Sequence, residues 1–232
     1  MIPLRDDNPT RRLPWLTLLI LFVNVAIFVY QLTLEPAALE TFWMRWAVVP
    51  ARLLESPLAP AEIITLVTAM FLHAGWFHLI GNMLYLWIFG NNVEDRFGPL
   101  GFLGFYLACG VLATVAQVLV VPDSTLPNLG ASGAIAGVLA AYLLLYPGAR
   151  VVTIIPVFFF IEIARVPAYL VIGFWFVLQL GNGLASLGGA LAGTGGTAWF
   201  AHIGGFVAGL VLAAPVAWSS RRRRTRQGRS WN

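Results

Sequence analysis

Apolar runs close to twenty residues long recur along this 232-residue chain, and no other feature restricts its fold as severely. A helix rises about 1.5 Å per residue, so about twenty apolar residues match the roughly 30 Å hydrocarbon core of a bilayer. Six runs fall near 13–32, 77–91, 99–121, 130–146, 166–182 and 199–218, each bounded by Gly, Pro or a charge. The first lacks a small-residue cleavage site and is too long for a signal-peptide core. Composition agrees, because 10% of the residues are charged where a soluble domain has about 25%. The expectation is an all-α membrane protein: a six-helix bundle over 13–218, a tail at 1–12 and a basic tail at 219–232, with no stretch left for a separate soluble domain.

An even number of spans places both ends on one side. Arg5, Arg11, Arg12 and six arginines among the last twelve residues then put that side in the cytoplasm. Removing the tail's six positive charges turns the net charge of +4 into −2, so the basicity is local. A nucleic-acid-binding surface needs spread-out basic residues, and none is expected here. The segment 33–62 holds four acids and two arginines, as suits an outer loop, while Arg96, Arg150 and Arg165 fall on the inner side. The apolar run 151–161 is too short to cross and is expected at the interface or packed on the bundle. The segment 181–197 has seven glycines and no charge, and reads as a flexible outer loop or a movable cap. Cys109 is the single cysteine, so no disulfide framework or thiolate metal site is available.

Ionisable groups within spans are costly and mark function by default. The histidines are His73, His78 and His202, all at the outer ends of expected spans. Asn82 lies four residues after His78, on the same helical face. Ser132 stands in the string Gly130-Ala131-Ser132-Gly133, at the first turn of the fourth span. A serine needs a base to take its proton, and His202 opens the sixth span at the same level. Gly133 with Gly137 and Gly205 with Gly209 form small-residue faces that let two helices approach closely in lipid. Glu162 is the last acid in the chain, so no carboxylate is at hand to orient the imidazole and a dyad is expected in place of a triad. Unpaired N–H groups of the helix's first turn, and the side chains of His78 and Asn82, can donate to a developing oxyanion.

Three strings in order, HAGWFHLIGN at 73–82, GASGAIAG at 130–137 and AHIGGFVAG at 201–209, resemble the rhomboid family of intramembrane serine proteases. The Glu94-Asp95-Arg96-Phe97-Gly98 string is similar to that family's ExRxG loop. The resemblance implies a rhomboid-like bundle in a cell membrane such as a bacterial inner membrane. It implies cleavage of single-pass transmembrane proteins near the outer ends of their helices, without metal or cofactor. It also implies Ser132 as nucleophile, His202 as base, and oxyanion roles for His78, Asn82, Gly130 and the Ser132 amide. His73 and Gly133 are assigned to shaping the site, and the Glu94 and Arg96 loop to structure. Some members carry a tyrosine one turn after the serine that packs on the base. Here that position is Ala136, so another group has to hold the His202 ring. Many members have an adjacent Trp-Arg pair in the first outer loop. This chain reads Trp43-Met44-Arg45-Trp46, and that loop is assigned membrane contact alone.

Taken singly, Ser132 reads as a helix cap or packing residue, and Asn82 as an interhelical hydrogen bonder. Three other functions stand beside the protease. A transporter or channel also carries buried polar groups, but these gather at one level with no charge mid-span. A zinc protease lacks the glutamate of HExxH. An inactive binding scaffold is disfavoured by the presence of both Ser132 and His202.

Overall fold

The computed structural model describes residues 1–157, 160–187 and 198–228, and is mostly helical. In chain order the elements are β1 (Ile2–Asp6), α1 (Trp15–Leu32), α2 (Pro36–Trp46), α3 (Pro50–Glu55), α4 (Pro60–Thr68), a 3-10 turn (Ala69–Phe71), α5 (Trp76–Phe97) and α6 (Pro99–Val120). There follow α7 (Ser132–Leu145), β2 (Arg150–Val157), β3 (Phe160–Pro167), α8 (Ala168–Leu187) and α9 (Trp199–Gly228). Proline opens α2, α3, α4 and α6, where its fixed φ suits the first turn and its missing N–H costs nothing. Gly98 sits between α5 and α6 at φ 73°, a left-handed conformation that a side chain would strain.

Helices α1, α6, α8 and the Trp199–Ser219 part of α9 are long and apolar enough to cross a membrane. A fifth candidate is the pair Pro60–Phe71 and Trp76–Phe97, bent by 81° at its break. This makes a multi-pass membrane protein with four to five candidate spans. Helix α7, at 14 residues, is shorter. It is buried from Gly133 to Tyr142 and so faces protein instead of lipid. Its closest neighbour is α9. A Cβ added at Gly205 would lie 2.0 Å from the Gly133 carbonyl oxygen, and one at Gly209 would lie 2.4 Å from that of Gly137. The two small-residue faces therefore meet backbone to backbone. Tyr106, Tyr142, Phe89 and Phe102 fill the core around them.

The chain departs from an all-α fold. Where the apolar run 151–161 was expected at the interface, Arg150–Val157 and Phe160–Pro167 form two antiparallel strands, and β1 pairs with β2 (Ile2↔Ile154, Asp6↔Val151) to complete a three-stranded sheet. The run does not cross, but its β-branched residues Val151, Val152, Thr153, Ile154 and Ile155 favour a pleated ladder. Residues 1–12, read as a tail, thus contribute an edge strand. Tyr142 donates to Asp6 Oδ2 at 2.6 Å and ties that strand to α7.

Three further segments differ from expectation. The segment 33–62, expected as an outer loop, is built of short helices, with Arg52 paired to Glu62 at 2.7 Å and donating to the Met44 carbonyl. The glycine-rich segment is helical through Leu187 as the end of α8, and its remainder, the expected loop or cap, lies outside the described residues. Glu94, expected in a loop of structural role, lies in the last turn of α5. Its carboxylate accepts from the N–H groups of Leu16 and Thr17 and from the Thr17 hydroxyl at 2.7–3.0 Å, capping α1.

Ser132 opens α7, and the sheet follows the other end of that helix. His202 lies near the start of α9. The N-terminal strand and the far end of α9 therefore sit at the end of the bundle opposite Ser132.

Candidate active site

The glycine contacts that seat α7 on α9 bring the first turns of both helices together. His202 Nε2 lies 2.7 Å from Ser132 Oγ, across 70 residues of sequence. Both side chains are partly buried. A Cβ on Gly133 would lie 2.6 Å from the Ala113 Cβ, so only glycine lets α6 close on this turn.

The second histidine approaches from α5. Gly130, at φ 130°, leaves the space it needs: a Cβ there would lie 2.7 Å from His78 Nε2 and 3.7 Å from Ser132 Oγ. His78 and Ser132 thus border the same point. The Gly130 N–H donates to the Ala69 carbonyl at 2.8 Å, and its missing side chain makes room for His78. The Ser132 amide, in the first turn of α7, has no intrahelical acceptor.

His73 stands in the corner between the 3-10 turn and α5, fully buried. Its ring packs edge-on against His78 with centroids 5.0 Å apart. The Asn82 amide nitrogen lies 2.8 Å from His73 Nε2. Gln31 of α1 locks the corner from behind, its Nε2 donating to the His73 carbonyl at 2.8 Å and its Oε1 accepting the His73 N–H at 3.2 Å. His73 is thereby joined to both His78 and Asn82. A cavity of about 20 Å³, whose lining includes Met70, Thr114, Asn128, Gly130 and Ser132, adjoins the nucleophile. It has room for about one water molecule.

Three amides in apolar helices were not anticipated. Besides Gln31, Gln117 of α6 accepts the Ala201 N–H at 3.2 Å in the first turn of α9. Gln179 of α8 faces His202 Nδ1 at 2.7 Å. The signal available was simply a polar residue inside an apolar run. The His202 ring also has Trp175 at 5.8 Å and Trp199 at 6.1 Å between centroids, in the absence of a tyrosine at position 136.

These features define a multi-pass helical membrane protein in which a serine and a histidine from separate helices meet near one end of the bundle. Residues 60–219 match the family model described as Rhomboid domain, and the chain belongs to the rhomboid family. It is 45% identical over 74 residues to the Rhomboid-like protein 11, chloroplastic, of Arabidopsis thaliana, covering 32% of this chain and 26% of that one. To the Rhomboid protease GluP of Bacillus subtilis it is 42% identical over 88 residues, 38% of this chain and 17% of that one. To the Presenilin-associated rhomboid-like protein, mitochondrial, of Bos taurus it is 33% identical over 178 residues, 72% of this chain and 44% of that one. The chain thus spans less than half the length of each of these relatives.

Proposed function

We propose that this chain is a serine endopeptidase that cleaves transmembrane segments of single-pass membrane proteins within a cell membrane, using Ser132 as nucleophile and His202 as general base. The observation that carries this reading is the 2.7 Å contact between His202 Nε2 and Ser132 Oγ, made by two helices that touch through glycine backbones. Membership of a family with a relative named a rhomboid protease supports it.

The chemistry follows from the geometry. As Ser132 Oγ attacks the scissile carbonyl carbon, its proton passes to His202 Nε2, and the carbonyl oxygen becomes an oxyanion. Donors for that oxygen are the Ser132 N–H, His78 and Asn82. Collapse breaks the C–N bond, and His202 returns the proton to the leaving amine. Water, deprotonated by the same imidazole, then hydrolyses the acyl ester and regenerates the serine.

In the proposed topology six helices cross, α7 buried among the others, over the domain 13–218. Both chain ends lie in the cytoplasm and the dyad opens outward. The arginines near both termini support that orientation.

A fluorophosphonate probe tests the central claim, because it labels activated serines whatever the natural substrate. Wild-type protein in detergent or liposomes is expected to be labelled and to cleave a transmembrane model substrate. Ser132→Ala and His202→Ala should each lose cleavage by at least about 10³-fold while keeping the wild-type melting temperature. Equal labelling of wild type and Ser132→Ala would overturn the reading.

A further inference from the structure

The sequence offers no carboxylate and no tyrosine to hold the catalytic imidazole, yet the base of a serine hydrolase works only in one tautomer and one orientation. A neutral imidazole carries its proton on Nδ1 or on Nε2, and the partner of one nitrogen decides which. In this protein the nitrogen facing away from Ser132 meets the Gln179 side chain of α8, with Oε1 2.7 Å from His202 Nδ1. Gln179 is 7% exposed, so solvent does not compete strongly for this contact.

An amide can be turned about its last bond, exchanging oxygen and nitrogen, and the hydrogen-bond network decides between the two orientations. Here the other amide atom lies 3.2 Å from the carbonyl oxygen of Trp175, one turn earlier in α8. A carbonyl oxygen only accepts, so the NH₂ group belongs on that side. The reverse orientation would set two lone-pair-bearing oxygens against each other at that distance. With NH₂ held by Trp175, Oε1 faces the ring, and an acceptor there requires a proton on Nδ1. Nε2 is then left with its lone pair toward Ser132 Oγ at 2.7 Å, as a general base needs.

We propose that Gln179 is the positioning residue for the base: its side-chain carbonyl holds His202 in the Nδ1–H tautomer and so leaves Nε2 free to take the Ser132 proton. This rests on the reading of Ser132 and His202 as nucleophile and base, and completes it with a third residue that carries no charge. A neutral amide suits this position. A carboxylate in the same buried place would stabilise the imidazolium more strongly but would have to be desolvated within the helical bundle. Trp175 acts twice, through the carbonyl that orients Gln179 and through the ring beside His202.

The tautomer can be read without catalysis. In protein carrying ¹⁵N-histidine, the His202 signals are assigned by their loss in His202→Ala, and His73 and His78 serve as internal references. Wild type is expected to show Nδ1 protonated at neutral pH. Gln179→Leu should shift the population toward Nε2–H and lower kcat on a transmembrane model substrate by roughly 10²-fold, with KM unchanged within about two-fold. Gln179→Glu keeps an acceptor at Nδ1 and should retain the Nδ1–H tautomer, although its second oxygen faces the Trp175 carbonyl. An Nε2–H signal in wild type would overturn the proposal even if the enzyme is active. So would Gln179→Leu with unaltered kcat, or an Nε2–H signal in Gln179→Glu at equal melting temperature. Failure of the protease reading has a different signature, the absence of probe labelling at Ser132 in wild type.

Discussion

Asn82 directs its amide nitrogen to His73 Nε2, and an amide has a second hydrogen to give. If that hydrogen reaches the oxyanion only as it forms, removing it raises the barrier without weakening substrate binding. Asn82→Ala is therefore expected to lower kcat by roughly 10²-fold with KM unchanged within about two-fold, measured by steady-state cleavage of a transmembrane model substrate. A matched rise in KM would remove the oxyanion role and leave Asn82 as a support for His73. The contrast between legible and illegible residues at this scale has a physical cause. Ser132 and His202 stand out because reactive side chains flanked by glycine and alanine are rare in apolar runs. Gln179 does not, since an amide in a helix has no distinguishing spacing and its partner lies 23 residues away in sequence. Helical spacing alone, carried back from α5 through 72–75, would turn His73 away from His78. The chain turns a corner there, and the ring swings back onto both His78 and Asn82.

Helix pairing is where a single methyl group should matter most. Gly205 faces the Gly133 backbone so closely that an added Cβ would stand 2.0 Å from its carbonyl oxygen, and backbone cannot rotate aside as a side chain does. Gly205→Ala has to force α7 and α9 apart, at a cost of at least about 1–3 kcal/mol, and with them Ser132 from His202. A lowered melting temperature together with lost probe labelling is expected. Gly104→Ala, on α6, meets nothing within 4 Å and should leave both unchanged, which controls for the methyl itself. Melting in detergent followed by probe labelling compares the two. These glycine faces were legible because their four-residue spacing is helical. The strands were not, since an apolar run of eleven residues fits a strand, a buried helix or an interfacial segment equally well. What decides it is β1, which supplies the partner edge from the far end of the sequence. The prolines at 36, 50 and 60 did mark helix starts inside the segment taken as a loop.

Across the whole molecule, the N-terminal strand meets the bundle in a half-buried contact whose strength depends on pH. Asp6 accepts the Tyr142 hydroxyl at the end of α7 remote from Ser132, and β1 carries it there by pairing with β2. Burial raises the Asp6 carboxyl above the ordinary carboxylate value, outweighing the hydrogen bonds from Tyr142 and the backbone that favour its ionised form, and the neighbouring Asp7 adds to the rise. The folded state therefore binds this proton more tightly than the unfolded chain does. The resulting stability is fully present below the unfolded carboxylate value and is lost as pH rises through the raised folded value. Asp6→Asn carries no titratable proton, and its amide oxygen still accepts from Tyr142. Its melting temperature should fall less than that of wild type as pH rises across that acidic interval. Tyr142→Phe should keep the dependence on pH while losing the hydrogen bond. Identical slopes for wild type and Asp6→Asn would show that this carboxyl does not govern the docking of the strand. Since Ser132 and Asp6 lie at opposite ends of the α7 region, probe labelling at the serine is expected to be the same in Asp6→Asn and wild type at any pH where both remain folded.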